Sequence, residues 1–198
     1  MANKMAVDLF RQHGGQLRMS QALEGGTSRS VLYSMRDKGI IVQVSRGLYR
    51  LAELPEHQEP DLCIVSLRYP KAVVCLISAL SFHDLTTQVP HEIYIALPRG
   101  SRAPTITTPP VRHFFFSGQA YEAGIEVHEQ DGVRIRIYDR EKTLADCFRF
   151  RNKIGMDVFL EALKLYKDAG NTRPGLIMDY ARICDVEKAM LPYLEAGL

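Results

Sequence analysis

The chain has 198 residues, 46% hydrophobic and 24% charged, with a formal net charge of +2. That composition is ordinary for a globular protein and provides a core without metal or disulfide staples. No apolar run approaches the ~20 residues that a helical membrane span requires.

The charge is unevenly spread. Residues 1–52 hold Lys4, Arg11, Arg18, Arg29, Arg36, Lys38, Arg46 and Arg50 against Asp8, Glu24 and Asp37, a balance of +5 that leaves −3 for the rest. Only the first segment is therefore expected to meet a polyanion. Cys63, Cys75, Cys147 and Cys184 have no metal-ligand spacing and apolar neighbours, so they read as buried free thiols. The opening MANKMAVDLF lacks the apolar stretch of a signal peptide. The expected location is the cytoplasm.

In chain order, residues 4–13 predict a helix, with Ala6, Leu9, Phe10 and His13 on one face and Gly14-Gly15 as its stop. A second helix is expected over residues 20–24, capped by Ser20 and ended by Gly25-Gly26. A third follows, capped by Thr27 or Ser28 and stopped by Gly39. Its apolar stripe is Val31, Leu32 and Met35. Arg29, Ser30, Tyr33 and Arg36 lie largely off that stripe. Hydroxyls can bond phosphates, an arginine can read a guanine edge through two donors, and a helix N-terminus offers free amides to phosphate. Strands over 40–44 and 48–51 flank the turn Ser45-Arg46-Gly47, a hairpin with an arginine at its tip. Each part is common by itself. The order helix, glycine turn, helix, basic-tipped hairpin in a +5 segment predicts a winged helix-turn-helix that binds DNA.

Residues 54–60 (LPEHQEP) read as a linker, so the expected division is a DNA-binding domain over 1–53, a linker and a second domain over 61–198. In the latter, helices are expected over 61–69 and 73–85, and strands over 91–97, 111–116, 124–128 and 133–138. Asp131-Gly132 is a hairpin signal between the last two. Asp139 should cap a helix running to about Arg151, followed by helices over 157–168 and 175–196, the latter broken near Asp185. The fold class is α+β: an N-terminal winged helix-turn-helix, then a larger domain with a small sheet covered by helices.

The second half carries little recognisable chemistry. It has no glycine-rich phosphate loop and no zinc-protease, EF-hand or nucleophile-elbow motif. Asp139, Glu141 and Lys142 could bind Mg²⁺ in a nuclease, but adjacent Glu and Lys on a helix point in different directions, and an N-cap role explains Asp139 more simply. His83, Asp84 and His91 match no ligand spacing and read as a polar loop at a helix end. Arg99 and Arg102 read as surface charge. No catalytic residue, metal or cofactor is expected.

Three stretches resemble the AbiEi antitoxins, regulators of type IV toxin–antitoxin and phage-defence operons. They are FRQHGGQLRMSQALEGGTSRSVLYSMRDKGIIVQVSRGLYRL, CLISALSFHDLTTQVPHEIYIALPRG and RIRIYDREKTLADCFRF, together spanning about Phe10 to Phe150. The resemblance implies a non-enzymatic repressor that binds double-stranded DNA at repeats in its own operon promoter. It further implies an antitoxin domain acting against a nucleotidyltransferase-like toxin, without requiring a stable complex. Carried onto this sequence, the DNA-binding residues would be Ser20, Thr27, Ser28, Arg29, Ser30, Tyr33 and Arg36, with Arg18 beside them and Arg46 in the wing. Two other readings stand beside it: the metal-dependent nuclease, and a regulator whose second domain binds a protein partner.

Overall fold

The computed structural model describes residues 2–54, 59–130 and 132–197. The chain divides into two compact units, Met1–Pro70 with Glu129–Ile135, and Lys71–His128 with Arg136–Leu198. Its class is α+β, as expected.

The first unit opens with α1 (Ala2–Gln12), which buries Ala6 and Phe10 on one face. Gly14 and Gly15, at φ 70° and 80°, take left-handed conformations open to glycine at little cost and turn the chain into β1 (Gln16–Arg18). This three-residue strand was not anticipated, because so short a run has no measurable alternation. It leads directly into α2 (Met19–Glu24). The expected cap, Ser20, therefore lies inside the helix. Extended Arg18 holds the cap position, its backbone N–H donating to Oε1 of Gln21 at 3.0 Å.

In α3 (Arg29–Asp37), Ser28 is the cap, and Leu32 and Met35 are fully buried. Gly39, at φ 68°, ends the helix as expected, and the Ile40 N–H donates to the Met35 carbonyl. A hairpin of β2 (Ile41–Ser45) and β3 (Leu48–Leu51) follows. The sheet order is β1-β3-β2, both pairs antiparallel, with Leu17 opposite Tyr49 and a bulge between Gln43 and Ser45. Phe10, Leu17, Ala22, Leu32, Met35, Ile41, Tyr49 and Leu51 form one core. Leu54 packs against that core, and Pro60 opens α4 (Pro60–Arg68). Of the expected linker, residues 55–58 lie outside the described residues. Helix α4 groups with the first unit and not with the expected second domain. Arginine hydrogen bonds to backbone carbonyls tie it there: Arg18 donates to Leu67, and Arg68 donates to Arg46.

The second unit departs from expectation at its start. Residues 73–85 were expected to form one helix. Instead β4 (Val73–Val74) precedes α5 (Leu76–Phe82). A continuous apolar run fits a buried strand as well as a buried helix, and two β-branched valines favour the strand. The remaining elements are β5 (Ile93–Pro98), β6 (Val111–Phe116), α6 (Gln119–Glu122), β7 (Ile125–Gln130) and β8 (Val133–Tyr138). The five-stranded sheet has the order β6-β5-β4-β8-β7, so short β4 sits at its centre. It runs antiparallel to β5 and parallel to β8. In the expected Asp131-Gly132 turn, Asp131 lies outside the described residues, and Gly132 has φ 74°.

Asp139 caps α7 (Arg140–Arg149). That helix stops two residues short of expectation, and α8 (Arg151–Ile154) and Gly155, at φ 104°, follow. Helices α9 (Met156–Asp168), α10 (Pro174–Ile183) and α11 (Glu187–Gly197) complete the chain. The break between the last two falls at Asp185, as the sequence predicts, with φ 58°. The core of this unit is aromatic, built on Tyr138, Phe148, Phe159 and Tyr166. All four cysteines are buried, and none is in a disulfide among the described residues. Among the described residues, no helix is long and apolar enough to cross a membrane.

Candidate nucleic-acid interface

Helix α3 owes its orientation to its buried stripe. Leu32 and Met35 enter the core, so positions 29, 30, 33 and 36 face outward. At the start of the helix, the Ser28 hydroxyl accepts from the Val31 N–H at 3.3 Å and lies 2.9 Å from the Ser30 hydroxyl. Arg29 and Ser30 are exposed in the first turn, which contains no acidic residue. The partial positive charge of a helix N-terminus is thus reinforced by Arg29.

One turn further on, the Arg36 guanidinium lies 5.2 Å from the centre of the Tyr33 ring. Its Nε and Nη2 donate to Asp37 Oδ1 at 3.0 and 2.8 Å, which pushes the guanidinium above its ordinary value. Helix α3 and the hairpin border a groove of about 390 Å³, lined by Met19, Tyr33, Arg36, Gln43, Arg46 and Tyr49 among others. The turn at its rim is anchored through both of its carbonyls. Gly47 O accepts from the Met19 N–H at 2.8 Å, and Arg46 O accepts from Arg68 Nη1 at 2.8 Å.

The nine predicted contacts therefore fall into three groups. Tyr33, Arg36 and Arg46 share the groove. Ser28, Arg29 and Ser30 are exposed at the start of α3, and Ser20 is exposed on α2. Thr27 is buried, and Arg18 is half-buried, its guanidinium donating to the Leu67 carbonyl. Burial, and then the neighbouring Arg68, hold that guanidinium below its ordinary value. Gln43 and Arg68 were not anticipated. Gln43 shares a strand face with buried Ile41 by period and so reads as core edge. Arg68 lies beyond the expected domain boundary.

The carboxylates and lysine weighed for a nuclease are engaged elsewhere. Asp139 accepts from the Lys142 N–H at 2.7 Å and from the Tyr180 hydroxyl at 2.6 Å. Glu141 accepts from the Tyr166 hydroxyl at 2.6 Å and from Arg173 Nε and Nη2 at 3.0 and 2.6 Å. Burial pushes the Glu141 carboxyl up, but these donors outweigh it and hold it below its ordinary value. Lys142 Nζ is fully buried, 2.5 Å from Asp146 Oδ2 and 4.2 Å from the centre of the Tyr138 ring. The three side chains thus share no side-chain partner. His83 Nε2 lies 2.8 Å from the Tyr138 carbonyl, and burial lowers its pKa. The loop beyond it is tied by Thr86 and Thr87 hydroxyls donating to Glu161 at 2.9 and 2.5 Å. Arg99 and Arg102 are exposed.

In comparison with known proteins, the first segment is similar to a class of transcriptional regulators. The match is specific: residues 4–52 fit the family model of the AbiEi antitoxin transcriptional regulators, the family that the sequence resembles. No curated protein matches the chain. Among solved structures, the chain is similar to the crystal structure of the Rv2827c protein from Mycobacterium tuberculosis. The two are 16% identical with a TM-score of 0.58, over 99% of this chain and 77% of the other. At that identity the likeness concerns the fold.

Proposed function

We propose that the chain is a DNA-binding transcriptional repressor whose first unit is a winged helix-turn-helix, with α3 as the recognition helix and the β2–β3 hairpin as the wing. It autoregulates its operon and serves as the antitoxin of a type IV system against a nucleotidyltransferase-like toxin. The repressor works in the cytoplasm on double-stranded DNA, at inverted repeats in its own promoter. The observation that carries this reading is the groove in which Tyr33, Arg36 and Arg46 meet, beside a helix start that exposes Arg29 and Ser30. Such a site offers guanidinium and hydroxyl donors to phosphate and to base edges at once. The match of residues 4–52 to AbiEi regulators supports the antitoxin assignment.

Gel shifts with the DNA upstream of the chain's own operon test the proposal. Wild type should give a discrete shift that weakens steeply with salt, because phosphate contacts release counterions. Arg29→Ala should cost ~1–3 kcal/mol of binding, roughly 5- to 150-fold, with the melting temperature unchanged. Absence of any shift by folded wild type at low salt overturns the reading.

A further inference from the structure

The wing is held in place by a residue outside the segment that matches known regulators. Arg68, at the last position of α4, donates from Nη1 to the carbonyl of Arg46 at the wing turn, 2.8 Å away. One residue earlier, the Leu67 carbonyl accepts from Arg18. Arg18 in turn lies at the end of β1, where its Cα pairs with that of Leu48, the first residue after the wing turn. Three guanidinium-bearing residues, Arg18, Arg46 and Arg68, thus surround one turn. The partners of Arg18 and Arg68 are neutral backbone carbonyls, and among the described residues no carboxylate pairs with any of the three. Arg18 and Arg68 are close enough to repel each other.

Concentrated positive charge without a counter-charge is costly in an isolated protein. The α4 C-terminus relieves part of that cost with the negative end of its dipole. An anion would relieve more. Only Nη1 of Arg68 is committed to Arg46, and its other donors are not among the buried groups left without a partner. An arginine presents donors in a planar fork, so one edge can fix a backbone carbonyl while the other meets a phosphate oxygen.

We infer that Arg68 belongs to the nucleic-acid interface: it positions the wing through the Arg46 carbonyl and, with Arg18 and Arg46, takes a backbone phosphate of the duplex beside the wing. This rests on the DNA-binding reading above and extends the interface from residues 4–52 to the end of α4. The ligand is a phosphodiester, so the effect is independent of sequence, and no operator is needed to measure it.

The experiment uses the full chain and a 30-base-pair duplex of mixed sequence, with affinity followed by fluorescence anisotropy from low to moderate salt. Arg68→Gln keeps a short hydrogen-bond donor and removes the charge; Arg68→Lys keeps the charge. The slope of log affinity against log salt should become shallower by about 0.9 in Arg68→Gln and return towards wild type in Arg68→Lys. A purely structural role would move the melting temperature and leave the slope of the folded fraction unchanged. Arg18→Gln, expected to reduce the slope in the same direction, provides a second reading should Arg68→Gln fold poorly. Equal slopes for wild type and all folded variants overturn the inference and leave the repressor reading intact. A folded wild type that binds no duplex overturns both.

Discussion

Helices α3 and α7 start alike and end in opposite roles. Each is entered through a side-chain cap, Ser28 in one and Asp139 in the other, and each begins with an arginine. In α3, Arg29, Ser30, Tyr33 and Arg36 face outward, and the last two line a groove. In α7, Glu141, Lys142, Thr143 and Asp146 are all buried. Charge content therefore says little about whether a helix meets a partner. The decisive factor is how many of its faces are covered. Only Leu32 and Met35 of α3 are fully packed, whereas α7 lies against α5, α9 and α10 and has no polar face left to show. A buried charge must find a partner inside the protein, so its chemistry is already consumed.

The sharpest test of that contrast is Lys142→Ala. It leaves the Asp146 carboxylate buried with its ammonium partner gone, which costs on the order of 3–5 kcal/mol. For a chain of this length that lowers the melting temperature by roughly 6–20 °C. Replacing both partners, as in Lys142→Met with Asp146→Leu, should recover much of the loss, because a buried pair exchanged for apolar groups of similar volume is often neutral. Thermal unfolding of wild type and the two variants decides it. A Lys142→Ala protein as stable as wild type would place that lysine outside the core network. DNA affinity of the folded fraction should be unchanged throughout.

Glu141 gives a smaller effect with a pH signature. Its carboxyl is nearly inaccessible, at 1% exposure, while Arg173 is more than half exposed, so the pair is anchored at one end only. Glu141→Gln should cost about 1–3 kcal/mol at neutral pH, as charge-assisted hydrogen bonds are lost. The folded carboxyl titrates below its ordinary value. The stabilisation is therefore present above the unfolded carboxylate range and disappears as pH falls through the lower, folded value. Wild type and Glu141→Gln should accordingly differ at pH 7 and converge towards pH 3 when unfolding free energies are compared. A pH-independent difference would mean that shape, not charge, holds the site.

Much of the first unit can be read from sequence because its signals are local. Gly39 stops α3, and the stripe Val31, Leu32, Met35 orients it, so Arg29, Tyr33 and Arg36 are found outside without any tertiary knowledge. The losses are tertiary. Arg18 is basic and ends the unanticipated strand β1, and its guanidinium donates to the Leu67 carbonyl nearly fifty residues away. Thr27 looks like a cap and is buried instead, because Ser28 takes the cap one residue later. Arg68 carries no local mark of its contact with the turn between β2 and β3. In the second unit, Asp139 was legible as a cap, whereas Val73–Val74 was not legible as the central strand. Its partners, β5 and β8, lie about twenty and sixty residues further on, and pairing at that distance leaves no trace in a local pattern.

The mildest change separates the two roles that Ser28 combines. Its hydroxyl caps α3, and it stands beside the exposed amides and Arg29 that the proposed interface offers to phosphate. Ser28→Ala removes the cap and should cost about 1 kcal/mol of stability, with any loss of binding confounded by fraying of the first turn. Ser28→Asp avoids that ambiguity. Aspartate caps as well as serine, and its charge suits the helix dipole, so the melting temperature should hold or rise slightly. The same carboxylate would face the duplex backbone, and binding should fall several-fold at low salt and less at high salt, where repulsion is screened. Undiminished affinity in a fully stable Ser28→Asp protein would mean that the start of α3 points away from DNA. The groove between Tyr33 and Arg46 would then have to carry recognition alone.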